Sequence, residues 1–94
     1  MNADVIQELK AHISNASHEC DSSEAALMSE TALHAANALR IANDNLSSAA
    51  AKSDVVRLVR NATNAPNPGD ALQFAKAALN AADALQILED RFGP

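Results

Sequence analysis

The sequence predicts an all-α protein: four helices, arranged as two repeated short–long helical hairpins in an antiparallel bundle with alanine-rich heptad seams. Three observations predict it. Residues 1–65 contain no Gly or Pro, so the first two thirds of the chain hold no strong helix breaker. Ala and Leu, both strong helix formers, supply a third of the chain. Apolar residues recur in steps of three and four, the spacing of one helix face.

The elements follow in order. Residues 3–16 place Ile6, Leu9, Ile13 and Ala16 on one side of a short helix. His18-Glu19-Cys20-Asp21 reads as a polar loop ending in a helix cap. Asp21 can accept hydrogen bonds from the free N–H groups of a long helix, and Glu24 lies in its first turn. That helix carries a seam of Ala25, Met28, Ala32, Ala35, Leu39, Ala42 and Leu46. Asn43-Asp44-Asn45 marks its break, although Ala49-Ala50-Ala51 would let a helix continue. Residues 48–63 form the second short helix, with Val55, Leu58, Val59 and Ala62 on one side. Pro66-Asn67-Pro68-Gly69 breaks the chain again. Asn67 is placed to cap and Pro68 to open the last helix, where its missing N–H costs nothing. Its seam is Ala71, Phe74, Ala78, Ala81, Leu85, Leu88 and Phe92. A second apolar stripe flanks each seam: Leu33, Ala36 and Ile41 in the first long helix, and Leu72, Ala75, Leu79, Ala82 and Ile87 in the second.

The two halves repeat. Residues 32–41 align with 78–87 at an offset of 46, with seven of ten positions identical. Asp21-Ser22-Ser23-Glu24 falls on Asn67-Pro68-Gly69-Asp70 at the same offset. The expectation is one helical domain over 1–94, repeating as approximately 1–46 and 47–94 about an approximate internal two-fold. The competing picture is an elongated hairpin that completes its core in an oligomer.

Composition bounds what such a protein does. Of the apolar residues about half are Ala, so a monomeric core is thin at ~25 cal/mol per Å² buried. This favours self-association into a homo-oligomer, or another protein as partner. The chain has no Trp or Tyr and so lacks the best platforms for stacking bases. Its net charge of −5 argues against nucleic acid as a partner. The whole net acidity lies in residues 1–30, and residues 31–94 balance to zero. Met1-Asn2-Ala3-Asp4 opens without a basic or apolar leader, and no run of ~18 apolar residues occurs to cross a membrane. The expectation is a cytoplasmic protein in the producing cell.

Several residues invite a functional reading. Lys52, Arg57 and Arg60 put three cations on one short helix, a candidate basic contact patch for a carboxylate or phosphate. The plainer reading is a solvated face pairing with Asp54. A basic face of one subunit meeting the acidic N-terminal third of another would make assembly salt-sensitive. Leu27, Leu33, Ile41, Leu72, Leu79 and Ile87 lie off the main seams and are either core covered by the short helices or an interface. His18, Cys20 and Asp21 match no metal-ligand spacing, and His34 falls on Asn80 in the repeat. No phosphate loop, catalytic triad order or redox pair occurs. The sequence therefore points away from an enzyme, and toward no catalytic residue, cofactor or metal.

The stretch Asp70 to Asp90, an Ala/Leu/Asn-rich helix with a capped start, resembles the C-terminal helix of many small helical proteins encoded by tailed bacteriophages. The resemblance covers about a quarter of the chain. It implies a phage accessory protein, either a virion-associated structural or assembly component or an inhibitor of a host protein. Phage sponges for cyclic nucleotide signals have a similar late helix, but this chain departs from them in having no Tyr or Trp and few cations. The function expected is non-enzymatic protein–protein contact in a phage structural or assembly role, with the inhibitor or sponge as the alternative.

Overall fold

The structure is a computed structural model that describes residues 3–93. Met1 and Asn2 of the Met1-Asn2-Ala3-Asp4 opening, and Pro94, lie outside the described residues. Four helices make up the fold: α1 (Ala3–Ser17), α2 (Ser22–Asn45), α3 (Ala49–Asn64) and α4 (Pro68–Phe92). The short–long, short–long order is the one expected, and no strand occurs among the described residues. The molecule is elongated, 46 × 22 × 17 Å.

The caps set the boundaries. The Asp21 carboxylate accepts from the N–H groups of Ser23 at 2.8 Å and Glu24 at 3.1 Å. The Asn67 side chain accepts from Gly69 at 2.8 Å and Asp70 at 3.3 Å, with Pro68 opening α4. Each cap satisfies N–H groups that a helix start leaves orphaned. At the other end of α4, Gly93 adopts φ 87°, and its N–H donates to the Glu89 carbonyl at 3.0 Å. That backbone conformation favours glycine over any residue with a Cβ.

The α2–α3 junction answers whether the chain continues as one helix through Ala49-Ala50-Ala51. It does not, because Glu89 of α4 holds the linker. The Glu89 carboxylate accepts from the Ser47 N–H and hydroxyl, both at 2.8 Å, and from the Ser48 N–H at 3.4 Å. Ser48 then caps α3 by accepting from the Ala51 N–H at 3.2 Å. A carboxylate at a helix N-terminus also faces the positive end of the helix dipole. The Ser47 N–H, the Ser47 hydroxyl, the Ser48 N–H and the positive charge of Lys52 together hold the Glu89 carboxyl below the ordinary glutamate range, against a smaller opposing effect of desolvation. A carboxylate with a depressed folded pKa stabilises the fold fully above its unfolded pKa and loses that contribution as pH falls through the folded value. We expect the thermal midpoint of the wild type to fall more steeply on acidification below the ordinary glutamate range than that of Glu89→Gln. Parallel midpoint-against-pH curves for the two proteins would contradict this role.

Consecutive helices run antiparallel, and α2 and α4 run parallel, since the Ser47–Glu89 contact brings their C-terminal ends together. The most extensive helix contact is between α2 and α4. To the core α2 contributes buried Ala32, Ala35, Ala38 and Ala42, and α4 buried Ala75, Ala78 and Ala82. Single methyl groups on both sides let the two backbones approach closely. α3 packs on both long helices through Val55, Val59 and Ala62. α1 packs on α2 and α3 through Val5 and Leu9, and does not reach α4 among the described residues. Thr31 is the buried polar residue of the core, and its hydroxyl donates to the Leu27 carbonyl at 2.8 Å. That bond removes the desolvation penalty of the hydroxyl. The largest side chains that are fully buried are Val5, Val55, Val59 and Thr31, so the core is as thin as the composition implies.

Two expectations about helix faces are corrected. On α2 the expected seam is the buried one from Ala32 to Leu46. On α4 it is buried only in part: Ala71 and Ala78 are buried and Leu85 packs against the core, but Phe74, Leu88 and Phe92 are exposed, while Leu72, Ala75 and Ala82 from the flanking stripe are buried and Leu79 packs against the core. The reason is size. Close approach to the alanines of α2 is open only to the Ala75/Ala78/Ala82 face, because Phe74 or Leu88 between the helices would hold them apart. The second correction concerns α1, where Ile6 and Ile13 were expected to face the core with Leu9. They are exposed, and Val5 takes the inward position.

Along the repeat some environments match, as at the Asp21 and Asn67 caps and at buried Ala32 and Ala78, and others differ. Ile41 is 5% exposed and its counterpart Ile87 is 59% exposed. Leu46 is 4% exposed and its counterpart Phe92 is 82% exposed. Ala38 is buried where Ala84 is exposed, and Ala36 is exposed where Ala82 is buried.

Candidate functional site

The main concave apolar surface lies between α1 and α2. Because α1 turns Val5 inward, its Ile6–Leu9–Ile13–Ala16 face becomes a groove wall. One hollow of about 320 Å³ is lined by Ile6, Leu9 and Ile13 of α1 and Ala36 and Leu39 of α2. A second, of about 790 Å³, continues from Ile13 and Ala36 past Ala16, Ala25, Ala32 and Leu33. Ile13 and Ala36 line both, so the two hollows form one groove. Lys10 and Arg40 stand at the first hollow. Both are exposed, and neither has an ion-pair partner among the described residues. The groove thus joins an apolar floor to two unpaired cations in a chain of net charge −5.

The six candidate interface residues separate. Ile41 and Leu72 are buried in the core. Leu79 packs against it half-buried, and Leu27 is half-buried on α2. Leu33 and Ile87 are exposed, Leu33 at the edge of the groove and Ile87 on the outer side of α4. The sequence marks Leu33 but not Ile6, Ile13, Lys10 or Arg40. Apolar spacing does not mark the isoleucines: Val5, Leu9, Ile13 and Ile6 share one arc of about 100° on α1, and spacing does not tell which edge of it faces the core.

Two of the three cations of α3 pair with a carboxylate of the same chain. Arg57 pairs with Asp54 at 3.2 Å, an exposed contact within α3 of the kind worth little to stability. Arg60 lies 3.7 Å from Glu8 of α1, an ion pair beyond hydrogen-bond distance. The single Thr63 hydroxyl proton has two acceptors in reach, the Arg60 carbonyl at 3.1 Å and Glu8 at 3.4 Å, and serves one at a time. Lys52 is attracted to Glu89. The basic helix thus meets one acid of the N-terminal third within the chain itself. His12 borders this polar α1–α3 seam with Asn15 and Asn64, and its Nε2 is buried without a hydrogen-bond partner.

Cys20 is a free, exposed thiol in the α1–α2 loop. No group of three or more His, Cys, Asp or Glu residues is placed to hold a metal ion among the described residues. Among the described residues no helix is long and apolar enough to cross a membrane. The chain matches no family model, no curated protein and no solved structure.

Proposed function

We propose that this protein works by binding another protein, and that its partner lays an amphipathic helix with acidic flanks into the α1–α2 groove. The observation that carries this is the groove itself: a continuous apolar floor with Lys10 and Arg40 unpaired at its rim. Helix-in-groove recognition buries apolar anchors spaced at three and four residues along such a floor. Cations at the rim select carboxylates on the incoming helix and repel a basic one. The likeness of the Asp70–Asp90 helix to late helices of phage accessory proteins supports a phage structural or assembly component as the setting.

The test compares proteins co-purified from the native producing cell by the wild type and by Ile13→Glu. Ile13 is half exposed, so the substitution puts a charge on the groove floor without opening the core. We expect a partner that the wild type retains, that high salt weakens, and that Ile13→Glu loses. No partner, or one retained equally by Ile13→Glu, would overturn the reading. This protein in stoichiometric amounts in purified phage particles would support the virion role, and its absence from them would contradict that role.

A further inference from the structure

Turning its alanine face toward α2 leaves α4 with a second apolar face on the outside. This face is regular. Phe74, Ala77, Ala81, Ala84 and Leu88 follow one another in steps of three and four, and all but the half-buried Ala81 are exposed. Asp70 precedes the stripe and Arg91 ends it in the same spacing. Both are exposed, and neither has an ion-pair partner among the described residues.

The stripe is self-complementary when read against its own reverse. Laid antiparallel on a second copy, Ala81 meets Ala81, Ala77 meets Ala84, Phe74 meets Leu88, and Asp70 meets Arg91. Bulky residues fall opposite bulky ones, small opposite small, and an acid opposite a base at both ends, all in one register. Such a pairing is isologous and closes as a dimer. A second observation comes from the surface shape. Asp70, Gln73, Phe74 and Ala77 line a hollow on the outer side of α4. Four residues at this spacing on one helix form the hole that receives a knob from a facing helix. In the register above, the knob is Leu88 of the second copy.

We propose that the outward face of α4 pairs with the same face of a second copy of this chain, antiparallel and centred on Ala81. The contact is separate from the α1–α2 groove, so a dimer presents two grooves. It is also small. From Asp70 to Arg91 a helix spans about 32 Å and is about 10–12 Å across, a footprint well below the ~800 Å² per partner of a standard interface. The dimer therefore forms and dissociates with protein concentration.

The test is the absolute mass of the full chain by light scattering, with refractive-index detection because the chain has no Trp or Tyr, from micromolar to millimolar protein. We expect the mass to rise from 9.8 kDa toward twice that value. Leu88→Glu and Ala81→Glu should each weaken dimerisation about a hundredfold or more, since every dimer then buries two unpaired carboxylates. Leu88 is 50% exposed, so its variant keeps the monomer fold, and circular dichroism checks this. Asp70→Arg should weaken the dimer by placing arginine against Arg91, and Asp70→Arg combined with Arg91→Asp should restore it, which only this register predicts. A chain that stays at 9.8 kDa at every concentration, a dimer indifferent to Leu88→Glu and Ala81→Glu, or a charge swap that fails to restore pairing would overturn the proposal. Ile13→Glu should leave the mass unchanged, so failure of the groove reading and failure of the dimer are distinguishable.

Discussion

Ala38→Leu should lower the stability of the fold by about 2–3 kcal/mol, while Ala84→Leu should change it by less than about 0.5 kcal/mol. The two alanines occupy equivalent places in the repeat. Ala38 is buried in the face of α2 that meets α4, where the helices approach over single methyl groups. Three extra carbons there must push α4 outward or force strained rotamers on both helices. Ala84 points away from α2 and is exposed. In a domain of this size the first substitution should lower the thermal midpoint by roughly 10–20 °C. Thermal unfolding of both variants in dilute solution checks this, and equal effects would mean that the two long helices bury equivalent faces.

Leu46→Ala and Phe92→Ala make the complementary comparison. Truncating Leu46 should cost about 2–4 kcal/mol, because this side chain closes the core just after α2 and is 4% exposed. Truncating the larger Phe92 should cost less than about 0.5 kcal/mol in dilute solution, because it is 82% exposed. Residue size alone predicts the opposite order. Urea denaturation of the two variants measures the difference, and a larger loss for Phe92→Ala would show α4 packed by its other face.

These comparisons isolate what the sequence made legible and what it did not. Helix number and most boundaries were legible because they rest on local chemistry: Asp21 and Asn67 as caps and Pro68 in the first turn. The break before α3 was less so, because Ala49-Ala50-Ala51 favours a helix, and what stops α2 is Glu89, 42 residues away from Ser47. The orientation of α4 was legible only in part from periodicity, since the expected seam takes Ala71 and Ala78 from the buried face and Phe74 and Leu88 from the exposed one. Ala71, Ala75, Ala78 and Ala82 form one sequence of three- and four-residue steps, and Phe74, Ala77, Ala81, Ala84 and Leu88 form another. Either face has the period of a seam. The choice belongs to α2, whose alanines admit only the flatter face.

The candidate sites divide along the same line. Lys52, Arg57 and Arg60 could be placed together on one short helix from spacing. Their partners could not, since Glu8 and Glu89 arrive from other helices, and only the Arg57–Asp54 pair is local. The groove depends on α1 turning Val5 inward and Ile6 and Ile13 outward, a rotation that leaves no trace in the order of apolar residues. Leu33 could be singled out because it lies off the seam of α2. Its neighbours across the groove became visible only with the packing.

With one apolar face of α4 buried on α2 and the other proposed to meet a second copy, the two faces should differ in chemical access. Maleimide labelling of Ala38→Cys and Ala84→Cys, each combined with Cys20→Ser, at low and high protein concentration measures this. Ala38→Cys should label slowly at every concentration. Ala84→Cys should label fast in dilute solution and more slowly as concentration rises and α4 faces pair. Equal rates at the two positions would contradict the orientation of α4, and an Ala84→Cys rate independent of concentration would contradict the pairing of copies through it.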